Sequence, residues 1–163
     1  MKYYMFLLLG IIILPLFSQS SDINDYGKHE FKIDLAYLFV PCLKLEYEFL
    51  LSEENSIGAV CFFGNNDIDV AFQALGLYRF YFGNEPISGF FLEGHVGFSR
   101  LKNYDIESDE YDNSIGAGIA LGNKYVSKKG IVLDIFAGVG KSVSYYSNST
   151  YYPRLGITLG KRI

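Results

Sequence analysis

The stretch Gly138-Val-Gly-Lys-Ser142 follows a β-type run, Val132-Leu-Asp-Ile-Phe136, much as a phosphate-binding loop would. Such a loop requires a glycine, four residues and then Gly-Lys-Ser, followed by a helix whose N-terminus receives the phosphates. Counting back from Gly140 puts Ile135 where the first glycine must stand, and the next residues, VSYYSNSTYY, are β-branched, aromatic and turn-forming. No nucleotide and no cofactor is expected. A second constellation is His95 with Glu93, Asp134 and Ser99, which on paper makes a hydrolase triad. A lipid hydrolase of the membrane needs its nucleophile and base where an acyl chain can reach them. His95 shares its phase with Glu93 and so belongs to a charged face, which makes it a structural residue rather than a catalytic one.

Metal chemistry finds little support. Cys42, Cys61, His29 and His95 lack the spacing of a zinc site. Folding a hairpin about residues 53–55 does not set the two cysteines opposite each other, so they read as separate apolar-type strand residues rather than as a bridge. Residues 104–112, YDIESDEYD, are acidic enough to attract a divalent cation, but they lack the Asp-x-Asp-x-Asp-Gly order of a calcium loop. They read as a solvated loop. Asn148-Ser149-Thr150 matches a glycosylation sequon, a three-residue coincidence with little weight. No metal is expected.

The elements that must position these residues are all of one kind. The chain has 163 residues, enough for one domain, half of them hydrophobic, with 17% aromatic residues and no tryptophan. That composition excludes a disordered chain. A net charge of −4 gives no basic face for nucleic acid. Residues 1–20 read as a signal peptide: Lys2, an apolar run from Met5 to Phe17, then small residues, with cleavage after Ser18 or Ser20. The apolar run is shorter than the ~20 residues of a spanning helix. Residues 21–163 form the exported domain.

After the signal, the pattern is strict alternation, the signature of strands with two unlike faces. In LKLEYEF, Leu43, Leu45, Tyr47 and Phe49 oppose Lys44, Glu46 and Glu48; in FKIDLAYLF, Phe31, Ile33, Leu35 and Tyr37 oppose Lys32 and Asp34. Eight segments follow this rule, at 30–40, 43–51, 56–63, 70–82, 88–100, 114–122, 131–140 and 152–163. The connections after the second, fourth and sixth are tight, and those after the third, fifth and seventh longer or more polar. Short periplasmic turns and longer external loops alternate in this way in outer-membrane barrels. The first connection, near Pro41, is short and breaks the rule.

The polar face decides between a soluble and a membrane barrel. It carries Lys32, Lys44, Arg79, Arg154 and Arg162 against Asp34, Glu46, Glu48, Glu93 and Asp134, with His95 in phase. Signs that balance suit a narrow interior where charges must pair. Ser114, Gly116, Gly118, Ala120 and Gly122 on one strand would leave room for long neighbours such as Arg79 or Arg154. Tyr78, Phe80, Phe82, Tyr151 and Tyr152 sit near strand ends, as interfacial aromatics do. The expected fold is all-β, an eight-stranded antiparallel up-and-down transmembrane β-barrel, with those charged residues and His95 as a structural network in its lumen.

LKLEYEFLLSEENSIGAV, LYRFYFGNEPISGFFLEGHVGF and KKGIVLDIFAGVGKS…YYPRLGITLGKRI resemble a family of small outer-membrane β-barrel proteins of unknown function from Bacteroidetes-type Gram-negative bacteria, itself distantly similar to OmpA-like and OmpX-like eight-stranded barrels. The resemblance implies a fold and a location in the cell outer membrane, and no catalytic residues. It also implies outer-membrane lipid and, during insertion, the barrel-assembly machinery as partners. The expected role is structural or surface-interacting, as a monomer with a filled lumen and no pore. The alternatives are a lipid-modifying enzyme using His95 and a soluble lipocalin-like binder of a small ligand.

Overall fold

The computed structural model describes residues 27–39, 42–64, 70–83, 86–102, 111–144 and 150–163. The signal segment, nearly all of the acidic stretch and the Asn148-Ser149 pair lie outside them. Eight strands run in chain order: β1 His29–Asp34, β2 Leu43–Leu50, β3 Asn55–Phe63, β4 Val70–Phe82, β5 Gly89–Lys102, β6 Tyr111–Val126, β7 Ile131–Ser144 and β8 Thr150–Arg162. Each pairs antiparallel with its neighbour in sequence, and β8 pairs with β1 to close the barrel. Closure removes every sheet edge where the ladder is complete. Among the described residues there is no α-helix.

Burial alternates along the strands, as β2 shows in Lys44, Glu46 and Glu48, which are buried, against Leu43 and Leu45, which are exposed. The same alternation runs around the whole wall. The outer surface carries Ile119 (61% exposed), Val139 (50%) and Leu155 (59%) among many large apolar side chains, and the inside carries the charges. The molecule is thus inverted relative to a soluble protein, in which charged residues are almost never fully buried.

Three tight turns share one end. At 51–54, Ser52 Oγ accepts the Glu54 N–H (3.2 Å) and an Asn55 side-chain N–H (3.1 Å). At 127–130, Ser127 Oγ accepts the Ile131 N–H (3.0 Å), and Gly130 takes a positive φ of 73°. Ile87, just before β5, is buried beside Leu50, Tyr81, Phe91 and Phe136. Ile87 has φ 44°, a real outlier for a β-branched residue. The strain is held by that burial, by its N–H donating to Glu53 O (2.8 Å) and by Arg162 Nη2 donating to its carbonyl (3.1 Å).

The strand bounds correct the sequence reading in several places. The first strand ends at Asp34 rather than at residue 40, because Leu35–Phe39 winds into a 3-10 turn. The first connection therefore spans 35–42, eight positions against four each at 51–54 and 127–130, and is not the short one expected. β6 reaches from 111 to 126 instead of 114 to 122, since its Gly/Ala pattern hides the strand signal at both ends. β7 continues through Lys141 to Ser144, so GVGKS lies within a strand.

Candidate functional site

The interior is built by strand parity. Every second residue of each strand points inward, and eight strands leave an interior just wide enough for side chains. Among the described residues, six cations are buried there, Lys32, Lys44, Arg79, Lys124, Arg154 and Arg162, and six anions, Glu30, Asp34, Glu46, Glu48, Glu93 and Asp134, so these formal charges cancel.

The pairing is dense at the centre. Arg79, fully buried, spreads its guanidinium over four carboxylates: Nε and Nη2 reach Glu93 Oε2 (2.9 and 2.8 Å), and Nη1 reaches Glu46 Oε1 (2.9 Å), Glu48 Oε2 (2.6 Å) and Asp134 Oδ2 (2.9 Å). Its Cζ also lies 4.6 Å from the Phe91 ring centroid. Lys32 Nζ pairs with Glu46 (2.9 Å), Asp134 (2.6 Å), Glu48 and, at 3.4 Å, Glu30. The oxygens of Glu46, Glu48 and Asp134 lie within 4.8 Å of one another, a grouping that could hold a metal ion. Here the chain supplies the positive charge itself, through Lys32 and Arg79.

Toward the tight-turn end, Glu48 Oε1 accepts from Lys124 (2.8 Å), Ser56 (2.5 Å) and the Tyr81 hydroxyl (2.6 Å). Lys124 and Arg162 both pair with Glu30, at 2.7 and 2.6 Å. Toward the other end, Lys44 pairs with Asp34 (2.7 Å), and Arg154 Nε with Glu93 Oε1 (3.0 Å). His95 stands between Glu93, 3.4 Å from Nδ1, and the Tyr152 hydroxyl, 3.1 Å from Nε2.

The residues singled out from sequence, Lys32, Asp34, Lys44, Glu46, Glu48, Arg79, Glu93, His95, Asp134, Arg154 and Arg162, are all buried in this interior and all take part in its contacts. The paper triad is not brought together: Ser99 accepts from Gln73 Nε2 (3.0 Å), Asp134 serves Lys32 and Arg79, and His95 is engaged by Glu93 and Tyr152. Two charged members of the network lie outside the residues that the sequence reading names. Glu30 was in phase with Lys32 and Asp34 and could have been found by that signal. Lys124 lies beyond the expected sixth segment, 114–122, and continuing the alternation past Gly122 finds it.

Tyr152 is a correction as well. It points into the lumen rather than joining an outer girdle, and its ring lies over Gly116 and Gly140. The glycines of β6 make room for rings rather than for Arg79 or Arg154: a Cβ on Gly118 would come within 2.7 Å of His95 Nε2. Tyr78, Phe82 and Tyr151 do face outward, and Phe80 and Phe82 pack edge to face at 4.8 Å. Cys42 and Cys61 are free thiols.

Fold and interior together define a closed eight-stranded barrel with an ion-paired inside and an apolar outside. Searches of family models, of curated proteins and of solved structures gave no match for the chain.

Proposed function

We propose that this is a small outer-membrane barrel protein that acts through what it presents at the membrane surface, with a lumen closed by its own ion pairs. The observation that carries the reading is the outer surface. Among the side chains described, outward formal charge on the strands is confined to their ends: Arg100 on β5, Lys141 on β7 and Lys161 on β8. Between Tyr151 and Lys161, β8 shows the outside only Pro153, Leu155, Ile157 and Leu159. About ten residues at about 3.3 Å each, tilted about 40°, rise about 25 Å, the height of a membrane barrel's apolar band. An apolar surface of that extent has no place in water. The aromatic rims and the tight turns gathered at one end support an orientation with those turns in the periplasm.

The reading is tested by cell fractionation and by gel migration of unheated and boiled samples. Recovery with outer membranes and heat-modifiable migration are expected; a protein that stays in the periplasmic fraction without detergent would overturn it and favour the soluble binder. The lipid-hydrolase alternative is checked on refolded protein. Phospholipase or lipid A deacylase turnover that disappears in His95→Ala would establish it over the non-enzymatic reading.

A further inference from the structure

The barrel closes through a short zipper, from Glu30 opposite Arg162 to Asp34 opposite Thr158. Beyond that point β8 runs on to Thr150, and its residues 150–157 have ladder partners on β7 alone. Among the described residues no strand lies along their other flank. The 3-10 turn Leu35–Phe39 packs there instead. In the membrane orientation proposed above, Leu155 and Ile157 put this flank at hydrocarbon depth, where an uncovered row of N–H and C=O groups is costly. Pro153 lies in the same stretch, and proline is kept in a sheet where no ladder bond is asked of its nitrogen.

The sequence of the turn is that of a strand. Alternation continues from Phe31 and Ile33 to Leu35 and Tyr37, and no glycine or proline intervenes before Pro41. What holds the segment as a turn is a latch of side chains. Asp34 Oδ1 accepts the Ala36 N–H (3.1 Å), while Oδ2 accepts from Lys44 Nζ (2.7 Å). The Tyr37 ring meets Phe62 edge-on at 5.2 Å and lies 5.2 Å from Lys44 Nζ. A continued β1 would keep its register, setting Tyr37 opposite Leu155.

We propose that Leu35–Phe39 is a strap at the β1–β8 seam with two packings. Wound as a 3-10 turn and latched by Asp34, it leaves the upper wall parted beside β8. Extended along β8, it closes the wall. In the wound form the turn and its latch, rather than a ladder, separate Lys44, Arg154 and His95 from the surrounding lipid, and all three stay buried. This inference rests on the membrane reading.

The test is disulfide trapping in native outer membranes, in a Cys42→Ser, Cys61→Ser background. The pair Ile33→Cys with Leu159→Cys, facing each other across the existing zipper, is the control. The probe is Tyr37→Cys with Leu155→Cys, which face each other once the strap is extended, since facing strand residues lie about 4.5–5.5 Å apart. With oxidant, the control is expected to close fully and the probe slowly. Adding Asp34→Ala should speed the probe several-fold; Lys44→Met accompanies it where the stranded ammonium prevents folding. A probe that never closes in either background while the control does would show a fixed turn and overturn the proposal. A probe as fast as the control and indifferent to Asp34 would show a permanent strand and overturn it equally. Failure of the membrane reading is distinguishable: the control pair then closes in protein recovered from the soluble fraction.

Discussion

Arg79 is a residue on which much of the interior converges, because its planar fork reaches Glu93 from one edge while Nη1 meets Glu46, Glu48 and Asp134. Its neighbours Glu46, Glu48, Glu93 and Asp134 depend on it and on Lys32 for neutralisation. Breaking a buried ion pair by removing one partner costs about 3–5 kcal/mol, chiefly because the other charge stays buried without compensation. Arg79→Met should therefore lower folding stability by that order, read as a shift of the urea midpoint for refolding into lipid vesicles. Arg79→Lys should recover only part of the loss, as the ammonium cannot hold Glu93 and the central carboxylates together. Equal stability of wild type and Arg79→Met would mean that the network is solvated rather than buried.

At the scale of elements, each strand shows the same division of labour, and the outward face is where soluble and membrane readings part. Ile119 on β6 and Val139 on β7 are paired neighbours in the middle of the outer band, while Val143 lies near the upper end of β7. In a bilayer, Ile119→Arg should destabilise by about 2–4 kcal/mol and Val143→Arg by about 0–1 kcal/mol, a depth dependence characteristic of lipid. The same urea titrations in vesicles measure both. In a water-soluble barrel the two substitutions would be equally harmless, and that result would sink the membrane placement. The strands themselves were readable from alternation, with the polar phase of β1, β2 and β8 plain in the residue types. The sequence signal of β6 is short because Gly118, Ala120 and Gly122 carry almost no hydrophobic contrast, so Lys124 falls outside it. That of β1 is long because Leu35 and Tyr37 continue its alternation, whereas the Ala36 N–H bonds to Asp34 where the backbone winds into a 3-10 turn.

For the whole molecule, the balance of six buried cations and six buried anions among the described residues, together with the rings of Phe91, Phe136 and Tyr152, means that the lumen is packed side chain against side chain at successive heights. Refolded protein in a planar bilayer is expected to give no large, stable conductance; a steady open channel would contradict a filled interior. What the sequence determined by itself is the alternation of faces, and with it the number of strands and the side of the wall on which each charge sits, because a strand's side chains alternate with a period of two whatever its neighbours are. Which charge meets which was decided only by closure. Lys32 meets Asp134 and Arg162 meets Glu30 across sequence separations of 102 and 132 residues, and such pairs follow from the stagger of strands around the barrel. Local pattern carries no record of that stagger. For GVGKS, Ile135 already breaks the spacing of a phosphate loop in the sequence; what the ladder from Gly138–Arg154 to Ser142–Thr150 adds is that β7 runs on through Lys141.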